Sequence, residues 1–125
     1  MTSDLLYKDL SYKVIGLCME VHTILGRGLS EVVYKDALEY EFKKAEIFFS
    51  REKQYKVQYK DIVLDHYYCA DFVIDDYIVL EIKAISSIAD NHVKQTLNYL
   101  AISGLRLGLL VNFGEDRLSH RRVIL

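Results

Sequence analysis

The chain has 125 residues, 51% apolar and 27% charged, with a formal net charge of −2. That suffices for one domain with a real core, so residues 1–125 are expected to form a single unit, and it leaves too little for a separate targeting module. The near-neutral balance excludes a broadly basic nucleic-acid coat but not a local basic stripe. Lys8 and Asp9 interrupt the N-terminal apolar run, and no stretch approaches the roughly 20 apolar residues of a membrane span, so no membrane association is expected and a cytoplasmic location is the default. Cys18 and Cys69 lie far apart without CxxC spacing or paired histidines, which predicts reduced, buried thiols rather than a zinc site.

Residues 4–25 place Leu6, Leu10, Val14, Leu17, Val21 and Leu25 three or four apart, which predicts an amphipathic helix with Ser3 as its cap. Gly26-Arg27-Gly28 ends it, and a second helix follows from Ser30 to about Ala45, with Val33, Ala37, Leu38 and Phe42 as its apolar stripe. From Ile47 to Ala84 β-branched and aromatic residues predict a meander with turns at Lys60-Asp61 and Asp75-Asp76. Asp90 or Asn91 caps a third helix through Val93, Leu97, Leu100 and Ala101 to Gly104. Leu107–Phe113 then predicts a buried strand and Arg122–Leu125 a short final one. The expected order is α-α-β-β-β-α-β-β, an α/β fold with a mixed central sheet flanked by helices.

Charges interrupt two of the apolar runs: Asp71 in Ala70-Asp71-Phe72-Val73-Ile74, and Glu81 and Lys83 in Val79-Leu80-Glu81-Ile82-Lys83-Ala84. Side chains alternate along a strand, so Glu81 and Lys83 share one face and Leu80, Ile82 and Ala84 the other. Buried charges must pair, coordinate metal or reach solvent, so two carboxylates beside an ammonium point to a metal-ion site. A shared ion requires Asp71 and Glu81 on one face, and the turn decides this. A two-residue loop would pair Ile74 with Tyr77 and send Glu81 to the opposite face from Asp71. A three-residue loop, Asp75 to Tyr77, pairs Ile74 with Ile78, Val73 with Val79 and Asp71 with Glu81. A bulge would achieve the same parity, and the metal-site reading expects the hairpin to carry this extra residue.

Asp71, then Glu81-Ile82-Lys83 after a hairpin, then Gln95 and Tyr99 on a helix, resembles the core of the PD-(D/E)xK nuclease superfamily with its downstream QxxxY element. Gly28-Leu29-Ser30-Glu31-Val32-Val33-Tyr34 resembles the signature of the GxxExxY family within it. Glu20-Val21-His22, the Gly26 and Gly28 pair and Asn112-Phe113-Gly114 extend the similarity over nearly the whole chain. Cys69 departs from the pattern where a basic side chain is expected, and Arg27 where proline is common.

The resemblance implies a restriction-endonuclease-like fold in which Asp71, Glu81 and the Ile82 carbonyl hold Mg²⁺ or Mn²⁺ and Lys83 positions or activates water. Hard oxygen donors suit that ion, and the simpler reading is a structural salt bridge at Lys83. Glu31 would complete the ligand set from the second helix, against the alternative of a first-turn glutamate favoured by the helix dipole, with Glu20 in reserve. Gln95 would orient water or phosphate and Tyr99 support it, since residues four apart share a helix face, although Tyr99 also suits a core. His22 either lines the same cleft or makes a local hydrogen bond.

Arg51, Lys53, Lys56 and Lys60, with Tyr55 and Tyr59 between them, and Arg117, His120, Arg121 and Arg122 could track a phosphate backbone, or simply be solvated. Two functions compete: a metal-dependent nuclease acting on nucleic acid, DNA ahead of RNA, and a non-catalytic nucleic-acid-binding or assembly protein that keeps the fold. A homodimer would suit a single small site that cuts one strand. With no added DNA-reading domain, specificity would be low or come from a protein partner.

Overall fold

In chain order the elements of the computed structural model are α1 (Lys8–Leu25), α2 (Glu31–Lys44), β1 (Phe49–Tyr59), β2 (Ile62–Ile74), β3 (Ile78–Lys83), α3 (Asp90–Ser103), β4 (Leu107–Asn112) and β5 (Ser119–Ile124). The structure describes residues 6–125, so the expected start of the first helix at residue 4 and its Ser3 cap lie outside the described residues. One sheet runs β1-β2-β3-β4-β5. All neighbours are antiparallel except β3 and β4, which are parallel and joined by the α3 crossover. This is the expected mixed α/β architecture in the expected order.

The sheet faces are unequal. On one, Val14, Cys18 and Val21 of α1 and Tyr34, Leu38 and Phe42 of α2 pack against Phe72, Ile74, Leu80, Ile82, Leu109 and Val111. The buried stripe of α2 starts at Tyr34 rather than Val33, which is 38% exposed, because the helix is rotated to place the larger ring inside. Phe72 meets Phe42 and Phe49 edge to face in this core while those two tilt against each other, with centroids 5.3 to 5.9 Å apart. On the α3 face a smaller cluster holds Ala70, Val73, Val79, Leu100 and Val123.

Three termini differ from expectation. Helix α3 is capped by Ala89, whose N–H is accepted by His92 Nδ1 at 2.9 Å, so Asp90 is its first residue rather than its cap. Strand β4 ends at Asn112, one residue short of Phe113. Strand β5 begins at Ser119 rather than Arg122: Ser119, His120 and Arg121 pair with β4 through backbone, and none of the three side chains is buried.

The β2–β3 connection is the three-residue loop, 75–77, with Ile74 paired to Ile78, Val73 to Val79 and Phe72 to Leu80. Asp75 and Asp76 sit at φ 53° and 56°, the left-handed region that aspartate tolerates better than most side chains, and the Tyr77 N–H closes the turn on the Ile74 carbonyl at 2.9 Å.

Candidate active site

Beyond Phe72–Leu80 the β2–β3 ladder stops, so Asp71 and Glu81 are not a backbone pair. The Asp71 side chain takes over: the Ile82 N–H donates to its Oδ2 at 2.8 Å, a bond that continued pairing would have given to a carbonyl. Opposite Asp71 in the β1–β2 ladder, Glu52 adopts φ 56°. The strands rotate here. Phe49 and Phe72 belong to the α1–α2 core, whereas Tyr55 and Ala70, of the same respective parities, pack in the α3-side cluster. The inversion lets Asp71 address α2 and Glu81 together.

Glu81 is 4% exposed and its Oε1 has no hydrogen-bond partner among the described residues. Burial, then the adjoining Asp71 carboxyl, push its pKa up to about 10, so it holds a proton at neutral pH. A buried carboxyl with an unpartnered oxygen beside a second carboxyl fits a hard divalent cation by the chemistry of its donors. Among the described residues, no group of three or more His, Cys, Asp or Glu side chains gathers into a metal cage. The acidic core is a pair, Asp71 and Glu81, with the main chain of Ile82 between them.

Lys83, on the Glu81 face, sends Nζ to Gln95 Oε1 at 3.4 Å. Gln95 and Tyr99 both come to this side from α3. Tyr99 packs edge to face on Tyr68, 5.4 Å between centroids, and its hydroxyl is pushed up to about 12 by burial first, then by Glu81 and Asp71. The segment that carries Lys83 is held rigidly at its far end. The Phe113 N–H donates to the Lys83 carbonyl at 2.7 Å, and the Asn112 side chain accepts from the Ile85 N–H at 3.0 Å and donates to the Ile85 carbonyl at 2.9 Å. A Cβ on Gly114 would lie 2.1 Å from that carbonyl oxygen, so only glycine permits the approach.

Helix α2 contributes a residue that sequence reasoning missed. Lys35, its side chain 11% exposed, places Nζ 3.0 Å from Asp71 Oδ1 and also pairs with Glu52. No pattern flagged it, because one lysine on a mixed helix face has no signal until a strand 36 residues away is brought beneath it. Glu31 is the first residue of α2, one turn before Lys35 on the same side, and its side chain makes no hydrogen bond or ion pair among the described residues. The turn of α2 that pairs with Asp71 is the one bearing Lys35.

Tyr34, last residue of the Gly28–Tyr34 motif, is a clamp. Its hydroxyl donates to the Gly26 carbonyl at 2.6 Å and accepts from the Leu29 N–H at 3.2 Å, while its ring stacks on Phe113 with centroids 4.6 Å apart. His22 is buried, with Nε2 2.9 Å from the Glu115 carbonyl. A carbonyl only accepts, so Nε2 carries the proton and His22 ties α1 to the loop after β4. Glu20 is exposed, its side chain without a hydrogen bond or ion pair among the described residues.

The basic residues divide similarly. Arg51 bonds Asp36 at 2.8 Å and lies over Phe72, and Arg122 donates to Ser11 and the Leu6 carbonyl, so both hold structure. Lys53 and Lys60 lie over Tyr55 and Tyr59 on a long, exposed β1–β2 arm. Both cysteines are free thiols. Cys18 is buried and pushed up to about 12, but Cys69 is only partly buried and donates to Glu52, contrary to the expected burial of both. No helix among the described residues is long and apolar enough to cross a membrane.

A helix-flanked mixed sheet with an acid pair where β2 leaves β3, and a lysine two residues further on, defines a restriction-endonuclease-like protein. The chain belongs to the PD-(D/E)XK nuclease superfamily, whose family model matches residues 8–123. Among solved structures it is similar to SSO0001, at 24% identity and a TM-score of 0.56, over 74% of this chain and 48% of that one. It is also similar to the alkaline exonuclease LHK-Exo from Laribacter hongkongensis, at 11% identity and a TM-score of 0.50, over 86% of this chain and 75% of that one. The chain thus spans about half the length of SSO0001, and at these identities both likenesses are of fold. None of the curated proteins matches it.

Proposed function

We propose that this chain hydrolyses phosphodiester bonds of nucleic acid, DNA ahead of RNA, with a divalent cation, Mg²⁺ or Mn²⁺. The observation that carries this reading is the unpartnered Oε1 of buried Glu81 beside Asp71, with Lys83 and Gln95 on the same side. Asp71, Glu81 and the Ile82 carbonyl would hold the ion. Bound there, it would lower the pKa of a water and stabilise charge on the phosphoryl group. Glu81 must lose its proton to serve as a ligand, so loading should release protons near neutral pH. The Lys83 ammonium would hold the attacking water or the developing phosphoryl charge, and Gln95, 3.4 Å from it, would steer the ammonium or the substrate phosphate.

We assign the chain to the GxxExxY family within the superfamily. Supporting this, Tyr34 ties together the very loop, Gly26 to Leu29, that the motif's glycine belongs to. Glu31 would then approach the ion only with substrate or a small movement of the α2 start. A homodimer and a specificity-giving protein partner remain part of the proposal, as does a single domain in the cytoplasm.

The test is cleavage of single- and double-stranded DNA and RNA with Mg²⁺, Mn²⁺ or EDTA, comparing wild type with Glu81→Ala and Lys83→Ala. Metal-dependent cleavage reduced at least a hundredfold in both variants is expected, the usual scale for removing a group that stabilises transition-state charge. Cleavage unaffected by either variant rejects the site. Tight binding without cleavage supports the non-catalytic reading, which the pairing of Lys35 with Asp71 favours.

A further inference from the structure

Lys35 is the part of the site that neither the sequence motifs nor the proposed chemistry uses. Its side chain is 11% exposed, and its ammonium bridges two carboxylates of unlike setting. Asp71 is a side chain 17% exposed, fixed by the Ile82 N–H, and Glu52 is 50% exposed. Glu52 has other neighbours, with the Cys69 thiol 3.5 Å from Oε2 and Arg51 Nε 3.9 Å from Oε1. The two acids face one another across β1 and β2 at the point where the strands rotate.

We infer that Lys35 is a resident counter-cation for Asp71 that a divalent ion must displace, and that Glu52 is where the lysine remains when it is displaced. The inference rests on the reading of Asp71 and Glu81 as metal ligands. A dication at Asp71 and an ammonium 3.0 Å from the same carboxylate repel each other, so loading favours withdrawal of Nζ toward its other partner. Glu52 makes that withdrawal small, because the ammonium keeps a carboxylate throughout. Lys35 is therefore a positioning residue that acts through Asp71, and together with Glu52 it sets the concentration of metal at which the site fills.

The two side chains consequently have opposite effects on metal binding. In Lys35→Met the competing cation is gone and Mn²⁺ should bind about tenfold more tightly, the scale of one displaced charge near a protein surface. In Glu52→Gln the lysine has only Asp71 to hold, and Mn²⁺ should bind several-fold more weakly. The double variant should resemble Lys35→Met. A purely structural tie between α2 and the sheet would weaken binding in both single variants or leave it unchanged.

The measurement is calorimetric titration of Mn²⁺ into the full metal-free chain, with melting curves confirming that each variant folds. Opposite shifts support the inference. Lys35→Met binding that equals or falls below wild type overturns it, and if that variant does not fold, unchanged or tighter binding in Glu52→Gln overturns it alone. Glu81→Ala separates the two levels: loss of Mn²⁺ binding there sustains the metal site whatever Lys35 does, whereas binding unaffected by Glu81→Ala removes the site itself.

Discussion

The two faces of the sheet are built on different terms. Against α1 and α2 the sheet presents Phe72, Ile74, Leu80, Ile82, Leu109 and Val111, and every one of these is fully buried. Against α3 the apolar cluster is small, and the strand positions continuing it carry Glu81 and Lys83. Adjacent residues of one strand therefore serve opposite purposes: Leu80 and Ile82 fix β3 in place while Glu81, between them, sits in a protonation state that water would not give it. Stability gathered on the first face is what permits a poorly satisfied carboxyl on the second.

The largest effect should come from breaking the first face. Phe72→Ala removes a fully buried ring that meets two other rings and lies beneath Arg51, and should lower unfolding free energy by about 3–5 kcal/mol in denaturant titration. A loss below 1 kcal/mol would mean that the two faces share the load equally.

The second face should respond in the opposite sense. Glu81 is raised from 4.5 to about 10, so between those values the folded chain holds a proton that the unfolded chain releases. Its stabilising contribution is complete below about pH 4.5 and is lost as pH rises toward 10. Glu81→Gln, which cannot ionise, should flatten the fall in metal-free stability from mildly acidic to alkaline pH. At alkaline pH it should exceed wild type by on the order of 1–3 kcal/mol. Parallel stability profiles for the two proteins would place Glu81 in water.

The smallest effect probes the hinge between the faces. Tyr34→Phe keeps the ring on Phe113 but removes the hydroxyl that bonds Gly26 and Leu29, and should cost about 1 kcal/mol. Unchanged stability in thermal melts would show that ring stacking alone holds the α1–α2 loop.

Much of this was legible in the chain. The element order followed from the change of period between residues 45 and 47, and the three-residue loop from the parity that Asp71 and Glu81 require. The Lys35–Glu52–Asp71 cluster was not, because it depends on a left-handed glutamate, which local preference does not announce. That Lys35 is the α2 residue to reach Asp71 was hidden for a related reason: sequence gives the face of α2 but not its height above the sheet. The start of β5 was hidden by Ser119, His120 and Arg121, which read as loop because an edge strand needs no apolar face.

The Ile82 amide is bound by a side chain where its neighbours in β3 are bound by backbone. Its proton therefore samples the charge on Asp71 directly, at 2.8 Å between nitrogen and oxygen. In a nitrogen-edited NMR spectrum this single resonance would act as a resident voltmeter, moving when the carboxylate is neutralised, released by the lysine or claimed by another cation.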